Sequence, residues 1–434
     1  MRMVDIIEKK TQRQELTTEE IGFFIDGFVG GEIPDYQAAA LIMAIYLNGM
    51  TEQETAELTN AMAHSGDMID LSGIDGIKVD KHSTGGIGDK TTVIIGPMIA
   101  ACGGHMAKMS GRALGTAGGT IDKLESIPGF DIALTREKFI ENVNTIGMAV
   151  TGQTANVAPA DKKIYAIRDV TATVASIPLI ASSVMSKKLA SGADKIVLDV
   201  KTGSGSFMKD LDEARKMASL MVQIGERNGR ETVAFLTDMN RPLGRNVGNL
   251  LEMQEAAATL RGEGPADLTD LCAELAGEML SLAGHGTVDA CKAAARATLY
   301  DGSAYRVFEK FIETQGGDIN VLYEPEKYYP GIIRREIRAD RDGFVNILSA
   351  EEIGRASMLT GAGRETKESE IDYTAGVIVC KNTGEPVRAG ETLFIVQGRD
   401  EAKIQTGIDI LAGAVAIQDT KPETLPLIID IIRK

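Results

Sequence analysis

Two glycine-rich segments combine small residues with hydroxyl and cationic side chains. The first is DKHSTGGIGDKTT at residues 80–92, with three glycines in four positions. Glycine lets the backbone turn tightly with its amides facing an anion, and Lys81, Ser83 and Thr92 add donors of matching sign. The segment lacks Walker spacing, but it predicts a phosphate cradle that leads into a helix N-terminus. The alternative is a structural turn whose hydroxyls cap that helix.

The second segment is KMSGRALGTAGGTIDKLE at residues 108–125, which adds the hydroxyls of Ser110 and Thr120. Two such loops in one domain predict a single anion that is held from two sides. Arg112 is expected to brace the loop by pairing with Asp122 or Glu125 rather than to bind the anion.

Two predicted helices carry a further set of polar residues. Tyr165 and Arg168 share one helix face, as do Ser183 and Lys187, because residues three or four positions apart are neighbours on a helix. An arginine and a lysine on helices are most often solvated. Beside a phosphate site, however, they could bind a second substrate from the opposite side.

Composition narrows the class of partner. The 434 residues carry a net charge of −16, which disfavours a nucleic acid or an acidic membrane as partner but not a small anion. No apolar run approaches the ~20 residues needed to span a bilayer, and the charged N-terminus does not resemble a signal peptide. The four cysteines lack zinc-ligand spacing, so we expect free thiols and a cytoplasmic protein.

The pattern along the chain predicts a multi-domain α/β protein. Residues 1–65 read as a helical bundle with capping boxes at Thr17/Glu20 and Thr51/Glu54, and 160–192 read as helices that return to it. Strands alternating with helices over 75–159 and 193–334 predict a largely parallel sheet that binds phosphate. Residues 335–434 predict a small, β-rich C-terminal α/β domain. The connections near 66–76 and 152–160 are hinge candidates.

These motifs resemble those of the thymidine and pyrimidine-nucleoside phosphorylase family. The stretch from Ser110 to Glu125 looks like the family's defining motif, and KHSTGG at 81–86 is similar to its phosphate loop. Arg168, Ser183 and Lys187 fall where the family places its base-binding residues. The resemblance extends over essentially the whole chain and is densest between residues 80 and 190.

The resemblance implies roles for particular residues, together with a homodimer and a cleft between the helical and α/β domains. His82, Arg168 and Lys187 would be catalytic, and Tyr165 and Ser183 would join Arg168 and Lys187 in binding the nucleoside. The residues implied to hold orthophosphate are Lys81, His82, Ser83, Thr92, Lys108, Met109, Ser110 and Thr120. A monovalent cation, K⁺ by resemblance, would be bound mostly through main-chain carbonyls, which leaves the side chains at 90 and 246 weakly constrained; its implied ligands are Gly88, Lys90, Leu243, Asn246 and Glu255.

The expected reaction is phosphorolysis of uridine, thymidine and deoxyuridine to the free base and (2-deoxy)ribose 1-phosphate, in pyrimidine salvage, with no organic cofactor. Thymidine-restricted members tend to have methionine where this chain has Lys108, and a lysine that reaches the sugar or the phosphate would favour the broader substrate range. The alternatives are a thymidine-restricted phosphorylase, an anthranilate-type phosphoribosyltransferase, and a non-catalytic sensor of nucleoside or phosphate.

Overall fold

The structure is a computed structural model that describes residues 1–112, 118–153, 156–364 and 369–434. It comprises a helical bundle, an α/β domain built on a mostly parallel sheet, and a smaller β-rich region near the C-terminus. The predicted fold class is therefore confirmed. Within those ranges, no helix combines the length and the apolar character needed to cross a membrane.

The helices and strands are numbered in chain order. The helices are α1 Met3–Thr11, α2 Thr18–Gly30, α3 Asp35–Asn48, α4 Glu52–Ala63, α5 Thr91–Ala101, α6 Thr120–Glu125, α7 Arg136–Ile146, α8 Pro159–Val170, α9 Ile177–Ala190, α10 Leu211–Arg227, α11 Asn249–Leu260, α12 Ala266–Leu282, α13 Val288–Tyr300, α14 Ser303–Thr314, α15 Pro325–Tyr328, α16 Ala350–Ser357 and α17 Glu401–Leu411. The strands are β1 Val79–Ser83, β2 Met106–Ser110, β3 Met148–Gly152, β4 Lys195–Thr202, β5 Glu231–Asp238, β6 Asn246–Val247, β7 Ile333–Arg338, β8 Gly343–Ile347, β9 Gly376–Val379, β10 Pro386–Val387, β11 Thr392–Gly398, β12 Val415–Gln418 and β13 Ile428–Ile432.

The N-terminal bundle begins its helices at the predicted caps. Thr17 accepts a hydrogen bond from the Glu20 amide at 3.3 Å, and the Glu20 carboxylate accepts one from the Thr17 amide at 2.7 Å. Thr51 and Glu54 make the same reciprocal pair before α4. Both predicted capping boxes are confirmed, and each satisfies amides that the first turn of a helix leaves without partners.

Helices α8 and α9 lie in the same bundle as α1 to α4, although about a hundred residues separate them in the chain. The aliphatic side chains of Ile164, Ile167 and Leu179 pack in one core with those of the first four helices. The chain therefore crosses between the two domains more than once. The crossing segments contact one another: the Asp67 amide donates to the Asn156 carbonyl at 2.9 Å, and the Ile69 amide donates to the Ala190 carbonyl at 2.8 Å.

The central sheet places β1, β4 and β5 side by side and parallel. Strand β4 is buried on both faces: Ile196, Leu198 and Val200 pack on one side, and Val197 packs on the other. A parallel two-stranded ladder of β2 and β3 continues beyond β1 through a bridge between Lys78 and His105. The carboxyl ends of β1 and β2 therefore meet at one edge, where open α/β sheets bind their ligands.

The C-terminal region forms two small sheets, in the orders β10-β8-β12 and β6-β9-β11-β7. The structure differs from the predicted 335–434 domain at both ends of this region. Strand β6, from the α/β segment, pairs with β9, and the last strand, β13, pairs antiparallel with β5 of the central sheet. The edge of β5 offers unpaired backbone groups, and alternate isoleucines of β13 pack on the two faces of the central sheet.

Candidate functional site

The first glycine-rich loop connects the end of β1 to the start of α5. Ser83 closes β1 and its hydroxyl accepts the Gly85 amide at 3.2 Å, while Thr92 lies in the first turn of α5 and is 8% exposed. Gly85 and Gly88 have φ angles of +92° and +76°, a region that glycine adopts without strain. The loop thus joins a strand end to a helix N-terminus, where amides and the helix dipole favour an anion.

Lys81 lies beneath this loop rather than in it. Its ammonium donates to the Thr91 hydroxyl at 2.6 Å and lies 3.4 Å from Asp199 and 3.7 Å from Asp89. The side chain is fully buried. In this conformation Lys81 holds the base of the loop through these ion pairs, which differs from the direct phosphate contact that the resemblance implies.

Lys108 also differs from its prediction. Its ammonium lies 3.0 Å from the Asp80 carboxylate and also donates to the main-chain oxygen of Lys81, and it is 4% exposed. The other oxygen of Asp80 accepts from Lys188 at 2.6 Å. The Lys108 side chain is therefore directed to a buried carboxylate, because an ionised Asp80 needs nearby cations. The expectation that Lys108 reaches the sugar or the phosphate stays a prediction, and in this conformation its ammonium is bonded to Asp80 instead.

Burial and the neighbouring charges compete at both partners of this pair, with a different outcome at each. Burial lowers the pKa of Lys108 to about 7, although the Asp80 carboxylate opposes that shift. Burial raises the pKa of Asp80, but the charges of Lys108 and Lys188 outweigh it and leave that pKa below its ordinary value. Asp80 is therefore ionised at neutral pH.

His82 stands on β1 where the sheet faces the helical bundle. Burial, followed by the charges of Lys188 and Lys108, holds the pKa of His82 well below its ordinary value. Lys187, on α9, also lowers this pKa. We call α8 and α9 the helical wall, and its positive charge therefore acts on His82 at the sheet edge. At neutral pH the imidazole is neutral and offers one N–H donor.

The second glycine-rich segment follows β2. Ser110 ends that strand, Met109 beside it is buried, and Thr120 is the first residue of α6. Arg112 pairs with Asp122 at 3.2 Å and donates to Glu125 at 2.6 Å, which confirms its predicted bracing role. Residues 113–117 of the predicted motif, and 154–155 of the second hinge candidate, lie outside the described residues.

A contact between the two segments joins them directly. Lys123, on α6, donates to the main-chain oxygen of Asp89 at 2.6 Å, and its ammonium lies 2.8 Å from Glu252 on α11. The predicted phosphate hydroxyls, on Ser83, Thr92, Ser110 and Thr120, thus lie on two connected loops at one edge of the sheet.

The helical wall opposite carries Arg168. Its guanidinium donates to the carbonyls of Val174 at 2.6 Å, Leu179 at 3.2 Å and Thr173 at 3.4 Å. It also lies 5.9 Å from the centre of the Tyr165 ring. The side chain is buried, and that burial lowers its pKa, but an arginine stays charged at neutral pH. Arg168 therefore orders the turn between α8 and α9 and places a cation in the helical wall.

Lys187 and Ser183 lie on α9, one turn apart. The Lys187 ammonium is 2.7 Å from the buried carboxylate of Asp161, yet a third of its side chain is exposed. Ser183 is 8% exposed. Lys187 can therefore contact a ligand while Asp161 holds its position.

The predicted cation ligands surround a side chain instead of an open space. The Lys90 ammonium is 2.5 Å from the Glu255 carboxylate, 2.9 Å from the Asn246 carbonyl and 3.1 Å from the Leu243 carbonyl. We call this group, together with Gly88, the Lys90 cage. A Cβ atom on Gly88 would lie 2.6 Å from the Leu243 carbonyl, so the cage tolerates only glycine there.

A free monovalent cation does not fit these residues, because the Lys90 ammonium already takes up the carbonyl and carboxylate oxygens that would bind it. The inference that the side chain at position 90 is weakly constrained is therefore wrong. Burial lowers the pKa of Lys90, but the Glu255 and Glu252 carboxylates more than compensate and raise that pKa above its ordinary value. The Lys90 ammonium is thus protonated at neutral pH and paired with Glu255.

Sequence reasoning missed most of the buried charges under the site. Asp80 lies in β1, Asp199 and Lys201 lie among the apolar residues of β4, and Lys201 is 2.8 Å from Asp199. A charge within a predicted buried strand was the signal available, because such a residue is almost never buried without a partner. Lys188 and Asp161, on helices, gave no comparable signal.

Comparisons with known proteins agree with this architecture. Residues 4–66 match the glycosyl transferase family, helical bundle domain, and residues 75–305 match the a/b domain of that family. Residues 344–418 match the pyrimidine nucleoside phosphorylase C-terminal domain. Together these matches extend over all three regions of the fold.

Individual relatives cover nearly the whole chain. A pyrimidine-nucleoside phosphorylase from Geobacillus stearothermophilus is 54% identical over 92% of this chain and 93% of its own length. One from Staphylococcus haemolyticus is 52% identical over 95% of this chain and 97% of its own length. An anthranilate phosphoribosyltransferase structure from Thermus thermophilus shares the fold, with a TM-score of 0.58 and 22% identity over 71% of this chain and 98% of its own. On this evidence the chain belongs to the pyrimidine-nucleoside phosphorylase family of glycosyl transferases.

Proposed function

We propose that this protein cleaves pyrimidine nucleosides with orthophosphate, releasing the base and a pentose 1-phosphate. The observation that carries the proposal is the juxtaposition across His82 of two unlike surfaces. One is a sheet edge with two hydroxyl-bearing loops and helix N-termini, and the other is a helical wall that carries Arg168 and Lys187. Family membership supports the same reaction, because the relatives are named for it.

The phosphate would bind at the sheet edge. The hydroxyls of Ser83, Thr92, Ser110 and Thr120 and the amides that begin α5 offer donors there, and Met109 contributes main chain. The buried lysines add positive potential without direct contact, which suits an anion that must remain free to attack. Lys81 and Lys108 would therefore position the glycine-rich loop and contribute positive potential, without contacting the phosphate.

The nucleoside base would lie against Tyr165, Ser183, Arg168 and Lys187. As the glycosidic bond from C1′ to the base nitrogen breaks, its electron pair leaves with the base while positive charge grows on the sugar. Arg168 and Lys187 would stabilise the departing anion. A phosphate oxygen then forms the new bond to C1′, so no covalent enzyme intermediate is needed.

His82 would assist departure of the base as a hydrogen-bond donor. Its imidazole is neutral in the ligand-free protein, and a bound phosphate dianion nearby would favour its protonated form. The proton that the departing base needs could then pass through His82 to a carbonyl oxygen. Closure of the cleft about the crossing segments at 66–76 and 152–160 would bring the two substrates together.

The test is direct incubation. Purified protein with uridine and orthophosphate should release uracil and ribose 1-phosphate in equal amounts, measured by chromatography, and should release no uracil when phosphate is left out. Thymidine and deoxyuridine in parallel would show whether the enzyme is broad or restricted to thymidine. Nucleotide formation from uracil and phosphoribosyl diphosphate without phosphorolysis of uridine, or binding of uridine without turnover, would contradict the proposal.

We further propose a homodimer in the cytoplasm. The exposed large apolar side chains of the bundle include Tyr36 at 75%, Leu47 at 70% and Val4 at 47%. They lie on the adjacent helices α1 and α3, and exposed apolar groups of this kind mark interaction surfaces. All four cysteines are free thiols, which suits a reducing compartment. Sedimentation should give twice the chain mass; a monomer would contradict the dimer.

A further inference from the structure

The Lys90 cage connects three parts of the α/β domain. Lys90 is the residue immediately before α5, Leu243 lies on the loop that leads into β6, Asn246 begins β6, and Glu255 projects from α11. The loop is also joined to the glycine-rich segment by a main-chain bond from the Leu243 amide to the Ile87 carbonyl at 3.0 Å. Whatever fills the cage therefore sets the position of the phosphate loop.

The acceptors of the cage converge on one point and are matched by one cation. An ammonium has three N–H donors, and Lys90 directs hydrogen bonds to Leu243, Asn246 and Glu255. The Glu255 carboxylate is fixed in turn by the amides of Arg245 at 2.8 Å and Asn246 at 3.1 Å. All three donors of the ammonium are used, and the Lys90 side chain is fully buried.

We infer that Lys90 is a covalently attached replacement for the monovalent cation that the family resemblance implies. Its ammonium is a compact cation with a fixed local concentration, so the cage is always filled. The protein should therefore keep its phosphate loop ordered without K⁺. The stability part of this inference is independent of the proposed function, and only its kinetic part rests on phosphorolysis.

A second buried lysine–glutamate pair provides a matched control. Lys10, in the helical bundle, donates to both oxygens of Glu54 at 2.7 and 2.9 Å, and both side chains are as buried as those of the cage. That pair is a two-group contact without the converging carbonyls of the cage. Removing the Lys10 ammonium should destabilise the protein without creating a cation site.

The test compares wild type with Lys90→Ser, Lys90→Met and Lys10→Ser in choline chloride and in KCl at equal ionic strength. Wild type should show the same thermal midpoint and the same kcat/KM in both salts. In choline chloride, Lys90→Ser should unfold at a lower temperature and lose about tenfold to a hundredfold in kcat/KM, because the loop loses its anchor. Added K⁺ should restore both quantities with saturation. Neither Lys90→Met, whose side chain fills the cage, nor Lys10→Ser should respond to K⁺ specifically.

Two results would overturn the inference. One is a saturable rise with K⁺ in the thermal midpoint or activity of wild type. The other is a Lys90→Ser protein that matches wild type in choline chloride. If Lys90→Ser folds in neither salt, the K⁺ titration of wild type decides. If the thermal midpoints change as inferred but the protein shows no phosphorolysis, only the proposed function is refuted.

Discussion

The cations around the candidate site are held in two different ways. Lys81 and Lys108 on the sheet side are paired with buried carboxylates, and so are Lys187 and Lys188 on the helical wall. Arg168, also on the helical wall, is bonded to neutral main-chain carbonyls, so none of its charge is cancelled by those partners. The paired lysines thus form a partly neutralised network, whereas Arg168 is a cation held rigidly by its own turn.

This difference fits the two tasks that the site would perform. A phosphate that must attack should be held by many weak donors, because strong neutralisation would reduce its reactivity. A departing base gains charge only as the bond breaks, and a rigid cation that waits for that charge stabilises the transition state more than the ground state. The following predictions test each half of the contrast.

The largest effect is expected on stability at the sheet side. Replacing Asp80 with Asn keeps the shape but leaves Lys108 and Lys188 buried without their carboxylate. Breaking a buried ion pair in this way costs about 3–5 kcal/mol, measured as the free energy of unfolding in urea at pH 7. Asp70→Asn is the control, since its pair with Arg136 is half exposed and should cost no more than about 1 kcal/mol. Equal losses in the two variants would refute the buried network.

The next effect is on catalysis at the helical wall. Arg168→Ala should lower kcat/KM for the nucleoside by about 10²–10³-fold, the usual cost of removing one donor to a developing anion. Arg168→Lys keeps a charge but loses the planar fork, so it should recover only part of the loss. The KM for phosphate should stay constant in Arg168→Ala, whereas a general loss of structure would change it. A parallel rise in that KM would contradict the assignment to the base.

The smallest effect is a pH dependence. The folded protein holds Lys108 at a pKa of about 7, whereas an unfolded lysine titrates near ~10.4. Between those values the unfolded chain binds more protons, so this group makes stability rise with pH, by at most about 1.4 kcal/mol per unit. Unfolding free energies from pH 7.5 to 9 should therefore increase more steeply for wild type than for Lys108→Met. Parallel curves would show that Lys108 remains protonated.

Much of the architecture could be predicted from local pattern. The capping boxes at Thr17 and Thr51 depend on residues three positions apart, and the glycine-rich turn before α5 depends on adjacent residues. Such features are decided within one turn of chain, so the sequence reveals them. The partner of β5 could not be predicted in this way, because β13 reaches it from almost two hundred residues further along the chain.

The partners of the long basic side chains could not be predicted from local pattern. The motifs predict Lys81 and Lys108 as phosphate-binding residues and Lys90 as a cation ligand, and in the structure all three ammonium groups are bonded to protein groups. Where each ammonium goes depends on Asp199, Glu255 and Asp80, which different strands and helices supply. By itself, the sequence determined the loops, the caps and the order of elements, since these follow from neighbouring residues. Only the tertiary structure decided which carboxylate neutralises which lysine, because a flexible four-carbon side chain takes whatever buried acceptor the fold brings within its reach.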